Sequence, residues 1–152
     1  MLRISMGCDH AGFELKEYLK EHLVLEGVQI IDHGTFSVEP VDYPDYCALA
    51  ARSVTVGDAD FAIVIGGSGQ GEQISANKVK GIRAALCVDE YTARLARAHN
   101  DANVISFGAR LIAKEYALDI LKVFLSTPFE QGRHIARLAK ITQIEETESG
   151  KN

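Results

Sequence analysis

Cysteine is scarce in this chain: Cys8, Cys47 and Cys87 are the only three in 152 residues. An odd count without CxxC spacing excludes a disulfide frame or a zinc knuckle and reads as free thiols in a reducing compartment. Basic charge is short as well. Sixteen Lys and Arg face 21 Asp and Glu, giving a net charge of -5 and a pI near 5.5. A nucleic-acid surface needs a basic stripe, so no nucleic-acid partner is expected. No apolar run reaches membrane-spanning length, and the opening MLRISMG lacks a signal-peptide hydrophobic region. A cytoplasmic location without membrane attachment is therefore expected. Internal repeats and low-complexity blocks are missing too. What is present is ordinary: 47% hydrophobic and 24% charged residues, the balance of a soluble globular protein. One domain of this length buries about 68–70% of its unfolded surface.

Apolar, β-branched runs alternate with longer stretches of helical period. Strands are expected at Leu2–Gly7, Val28–Asp32, Phe61–Ile65, Ile82–Cys87 and Asn103–Phe107. Helices are expected at Glu14–Leu25, Asp45–Val54, Glu90–Ala98 and Ile112–Leu125, and a helix opens around Ile74–Lys78. Pro40 and Pro44 punctuate the loop after the second strand. A last helix, Phe129–Ile144, lies beyond the fifth strand and either covers the sheet or embraces a partner. The expectation is a single-domain three-layer α/β/α sandwich, Rossmann-like, with a five-stranded parallel sheet and an extra C-terminal helix. The domain takes residues 1–145, and 146–152 form a polar, frayed tail.

The most informative stretch is Phe61–Lys78, FAIVIGGSGQGEQISANK. A strand ends abruptly in Gly66-Gly67-Ser68-Gly69-Gln70-Gly71, and Glu72 follows at once. Glycines here let backbone N–H groups approach a ligand, with a helix dipole behind them. The loop is no Walker A, lacking Gly-Lys-Ser/Thr, and it misses G-x-G-x-x-G. Its donors, the Ser68 hydroxyl and the Glu72 carboxylate suit proton abstraction beside a carbonyl, where an enediolate must be stabilised. A structural turn fits the loop alone equally well. Asp9 and His10 follow the first strand and Gly108 to Arg110 the fifth, where α/β sheets bind ligands. Arg133 and Arg137 are four apart, so a helix places both on one face. That suits a phosphate dianion or a solvated basic face.

Cys8-Asp9-His10-Ala11-Gly12, Asp42-Tyr43-Pro44, the Gly loop with Ser75-Ala76-Asn77-Lys78, Gly81-Ile82-Arg83-Ala84-Ala85, His99-Asn100-Asp101-Ala102-Asn103 and Gly132-Arg133-His134 occur in this order. Together they resemble the type B ribose-5-phosphate isomerases, relatives of galactose-6-phosphate and allose-6-phosphate isomerases. In one branch a cysteine precedes the loop and serves as base; here that position is Gly66. The chain is similar to a second branch with a glutamate base, which implies Glu72.

The resemblance implies interconversion of D-ribose 5-phosphate and D-ribulose 5-phosphate without metal or other cofactor. Glu72 is the implied base, and Ser68 with the Gly67 and Gly69 N–H groups would hold the enediolate. His99 is implied in ring opening and Asp9 in handling a sugar hydroxyl. His10, Arg110, Arg133 and Arg137 are implied for the phosphate, Tyr43 and Asn100 for sugar hydroxyls, and Gly71, with Gly67 and Gly69, for substrate binding by the loop. Asn77 and Lys78 are expected only to cap and support it. The resemblance further implies a homodimer with a shared active site, paired into tetramers in some members, with His99, Asn100 and Arg110 from the partner chain. A tetrose or hexose phosphate is an alternative substrate. A phosphosugar-binding module without turnover is an alternative of another class.

Overall fold

The computed structural model describes residues 1–151. Its elements are β1 (Arg3–Cys8), α1 (Phe13–Leu25), β2 (Gln29–Asp32), α2 (Tyr43–Thr55), β3 (Phe61–Gly66), α3 (Gln70–Asn77), β4 (Ala84–Leu86), α4 (Glu90–Ala98), β5 (Val104–Gly108), α5 (Lys114–Ser126) and α6 (Arg133–Ser149). The five strands form one parallel sheet in the order β2-β1-β3-β5-β4. This is the expected α/β architecture.

Alternation along the central strands builds two cores, because successive side chains leave a strand on opposite faces. Ile63, Ile65, Ile105 and Phe107 join Leu15, Leu19 and Leu23 of α1, Ala93 of α4 and Ile120, Leu121 and Phe124 of α5. Ala62, Val64 and Val104 turn the other way, onto Cys47, Ala50 and Ala51 of α2 and Ala76 of α3. Small residues on this second face let α2 lie close: a side chain at Gly7 would strike the Tyr46 carbonyl. The three layers are thus α1, α4 and α5, then the sheet, then α2 and α3.

From β1 the chain moves outward to β2, then returns past β1 to β3. The loops after β1 and β3 therefore diverge to opposite faces and leave a crevice between them, the usual ligand position in such sheets.

Helix α3 begins at Gln70, earlier than expected. Gly69, at φ +77, makes the turn that lets the helix start there. Gly71 and Glu72 consequently lie in its first turn. The fourth strand shrinks to Ala84–Leu86, because the turn before it still includes Ile82, whose N–H closes onto the Val79 carbonyl at 3.1 Å. Asn77 completes that edge strand, donating to the Ala84 carbonyl at 3.0 Å and accepting from its N–H at 2.8 Å.

The last helix starts later than expected, after Gln131 and Gly132 turn the chain at φ 62 and 53. It then continues through Ser149, taking in residues 146–149 that were expected as tail. Thr147 and Ser149 hydroxyls bond back to the Gln143 and Glu145 carbonyls at 2.8 and 2.6 Å. Helix α6 does not cover the sheet. Among its described residues only His134 is buried, and Ile135, Ile141 and Ile144 stand 53%, 47% and 64% exposed.

Replacing Asn77 with Ala should strip both bonds from the β4 edge and cost about 1–3 kcal/mol by urea denaturation. Faster hydrogen exchange should appear at Ala84 and not at Ile63.

Candidate active site

The crevice is lined from three strand ends. β1 delivers Asp9 and His10, β3 the glycine loop, and β5 Gly108 to Arg110. Cross-links hold the loops in one frame: Asp9 N–H donates to the Ile65 carbonyl at 3.3 Å, Ala109 N–H to Gly66 at 2.8 Å and Arg110 N–H to Gly67 at 3.1 Å. Ser106 Oγ adds a bond to the Gly69 carbonyl at 2.7 Å. Among the described residues, no backbone carbonyl accepts from the N–H groups of Gly67 and Ser68. Both donors are free for an oxyanion, and Ser68 is exposed.

Glu72 is the centre of the site. It is 3% exposed, and its carboxylate sits over Gly66, in the volume that a side chain at 66 would fill. Burial pushes its pKa above the ordinary glutamate value. Its own N–H and that of Gly69 pull it down, while the charge on Asp9 pushes it up. Asp9 is itself buried, its carboxylate accepting from Gly12 N–H at 3.1 Å. Gly71 is required by contact, since a methyl there would run into the Tyr43 ring and hydroxyl. Tyr43 is thereby placed against the first turn of α3.

His10 accepts from Val41 N–H through Nδ1 at 3.1 Å, which puts its own proton on Nε2 for an anionic ligand. The 33–42 loop that supplies Val41 is tied down by Asp32, which accepts from Lys16 Nζ at 2.6 Å, Lys20 Nζ at 2.8 Å and Gly34 N–H at 2.9 Å. Fully buried Lys16 was not legible as part of this frame. Cys8 is no nucleophile here: burial pushes its thiol up to about 12.

Arg110 stands beside Gly67 of its own chain, where a Cβ at 67 would lie 2.9 Å from its guanidinium. The expectation that a partner supplies it is corrected, because β5 neighbours β3 and their loops emerge together. A cleft of about 540 Å³ bounded by Ala11, Glu14, Tyr18, Arg110 and Lys114 opens next to it, and neither Glu72 nor Ser68 lines that cleft.

The remaining expected residues lie elsewhere. Helix α4 runs from the carboxyl end of β4 to the amino end of β5. Its C-cap, His99, and then Asn100 therefore occupy the opposite edge of the sheet from Glu72. Arg133 and Arg137, both exposed, lie in the first turns of α6, whose His134 stacks on His99 at 4.4 Å between centroids. Arg83 holds this edge, donating to the carbonyls of Asn100 at 2.9 Å and Asp101 at 2.8 Å. The expected site residues thus fall into two groups on opposite edges of the sheet. His99, Glu130 and His134 bring three metal-type ligand atoms within 4.8 Å of one another. The two rings are nearly parallel, at 16°, so their lone pairs run side by side rather than converging on one ion. His134 and Glu130 were missed in the sequence; the Gly132-Arg133-His134 motif was the available signal. No helix among the described residues is long and apolar enough to cross a membrane.

Residues 4–141 match the family model described as Ribose/Galactose Isomerase. Ribose-5-phosphate isomerase B of Escherichia coli K12 is 47% identical over 146 residues, 96% of this chain and 98% of that protein. The solved Clostridium thermocellum ribose-5-phosphate isomerase B superimposes with a TM-score of 0.95 at 44% identity, covering 96% of this chain and 99% of that one. That of Mycoplasma genitalium, solved with bound ribulose-5-phosphate, gives 0.90 at 39% identity, covering 95% and 97%.

Because burial raises its pKa, Glu72 favours folding when protonated, and this contribution is lost as pH rises through its folded-state pKa. Glu72→Gln should therefore raise Tm at pH 7 relative to the parent. The gain should shrink as pH falls toward the ordinary glutamate range, as differential scanning calorimetry would read.

Proposed function

The chain belongs to the ribose/galactose isomerase family, and from that membership we propose that it interconverts D-ribose 5-phosphate and D-ribulose 5-phosphate with Glu72 as base. It is an aldose–ketose isomerase of the ribose-5-phosphate type. The observation that carries the mechanism is the buried Glu72 carboxylate seated over Gly66 beside free loop N–H donors.

In the open-chain aldose, Glu72 removes the C2 proton and returns it to C1 while the O2 hydroxyl proton passes to O1, so the carboxylate ends as it began. The charge that develops on the enediolate oxygens falls to Ser68 Oγ and the N–H groups of Gly67 and Ser68; the Gly69 N–H, expected to join them, is directed instead at the Glu72 carboxylate. A carboxylate with a raised pKa is the stronger base, and desolvation supplies that rise. Asp9 accepts a sugar hydroxyl. The phosphate dianion is met by the His10 Nε2 proton and by Arg110 from one half-site, and by Arg133 and Arg137 from the other. Tyr43 and Asn100 hydrogen-bond the remaining hydroxyls, and Gly71 keeps Tyr43 within reach of the loop.

Ribose 5-phosphate arrives as a furanose and must open before C2 can lose its proton. His99 gives a proton to the ring oxygen and takes one from the C1 hydroxyl. Ribulose 5-phosphate carries its phosphate on the oxygen a furanose would need, so it stays open and makes no demand on His99. The half-sites meet only if a second copy brings its His99 edge to the Glu72 edge of the first, so the working unit is a homodimer with two shared sites.

Two experiments test this reading. Glu72→Gln should lower turnover in both directions by about 10²–10⁴ and abolish deuterium uptake from D2O at C1 of ribulose 5-phosphate. His99→Asn should lose ribose 5-phosphate turnover and keep that uptake; retained activity in Glu72→Gln would move the base elsewhere. Mixing the two inactive variants with subunit exchange should restore about a quarter of parental activity, because half the dimers then hold one intact site of two. No restoration would place both residues in one subunit's site.

A further inference from the structure

We propose that His134 is a positioning residue for His99, a buried platform that fixes the angle at which the His99 imidazole meets the sugar ring oxygen. This rests on the ring-opening role given to His99 above. His134 is 6% exposed, and its ring lies face to face with His99 at 4.4 Å and 16°. The His99 side chain is 33% exposed, so one face rests on His134 while its rim stays open. Offset stacking of flat rings restricts tilt while leaving the edge nitrogens available.

The backbone sets this platform in place. Glu130 N–H donates to the Ala98 carbonyl at 3.0 Å, tying the approach to α6 onto the last turn of α4. Gln131 and Gly132, at φ 62 and 53, then reverse the chain. His134 N–H closes the turn onto the Gln131 carbonyl at 3.0 Å. The glycine and the histidine of the Gly132-Arg133-His134 motif therefore act together: one permits the turn, the other faces His99. Glu130 Oε2 lies 3.4 Å from His134 Nε2 and 3.7 Å from His99 Nε2. The second distance exceeds a hydrogen bond, so the His99 nitrogen is not tied up.

Chemistry separates this role from a structural one, because only the furanose direction needs His99. His134→Ala should lower kcat/KM for ribose 5-phosphate by roughly 10- to 100-fold while leaving deuterium uptake by ribulose 5-phosphate within about twofold. His134→Phe keeps a flat face and should recover most of the loss. Equal loss in both assays would make His134 merely structural and overturn the proposal. So would an unaffected His134→Ala, or a His134→Phe as impaired as His134→Ala with uptake intact. His99→Asn run alongside separates the two readings: if it retains ribose 5-phosphate turnover, the His99 assignment fails first.

Discussion

A single steric relation organises the site: Gly66 has no side chain, and the Glu72 carboxylate occupies the space one would take. Three features must coincide for this. β3 must run its apolar register to Gly66 so that the strand ends at the crevice. Gly69 must turn at φ +77 so that α3 starts at Gln70 and carries Glu72 back over the strand end. Gly71 must leave room for Tyr43 on the same turn. Each glycine thus answers a particular contact, and the loop reads as a set of clearances cut around one carboxylate.

Burial gives that carboxylate its chemistry and also a cost to folding. Desolvation lifts its pKa above that of a glutamate in water, and the charge on Asp9 adds to the rise. The N–H groups of Glu72 and Gly69 act in the other direction and keep the ionised form accessible. Under the proposed mechanism the base must both take and return a proton and needs this balance, since a wholly apolar pocket would lock it neutral. The carboxylate is held in this setting because the surrounding loops are cross-linked to one another by backbone and Ser106 hydrogen bonds.

Much of the architecture was legible because it depends on local pattern. The five strands, the helices between them and the loops bearing Asp9, Ser68 and Arg110 follow from apolar runs broken by glycine. Strand order was not legible, and it decides which residues meet. Arg110 joins Gly67 because β5 lies beside β3, a long-range pairing that no local spacing reports. The start of α3 was hidden because glycines at 69 and 71 read as loop, their helix penalty being offset here by tertiary contact. The His134–His99 stack joins positions 35 apart through a reversal at Gly132. Sequence marked the motif without showing what it touched.

The placement of the half-sites also bears on why α6 is built as it is. A helix that packed its apolar residues on its own sheet would hide Ile135, Ile141 and Ile144 and turn Arg133 and Arg137 with them. Here only His134 faces inward, so one residue fixes the base of the helix and the rest remain presented outward. Glu145 secures the far end by accepting from Gly81 N–H at 3.0 Å, beside the short β4 strand. Ile141 and Ile144, three apart, share one side of a helix pinned at both ends, with Ile135 on the opposite side, and burying that pair against a second copy would remove apolar area from water. In the proposed dimer this edge, with His99 at the end of α4 and the arginine pair on α6, would meet a partner's Glu72. In that arrangement the end of α4 and the start of α6 complete the site together, held as one edge by the bond from Glu130 N–H to the Ala98 carbonyl.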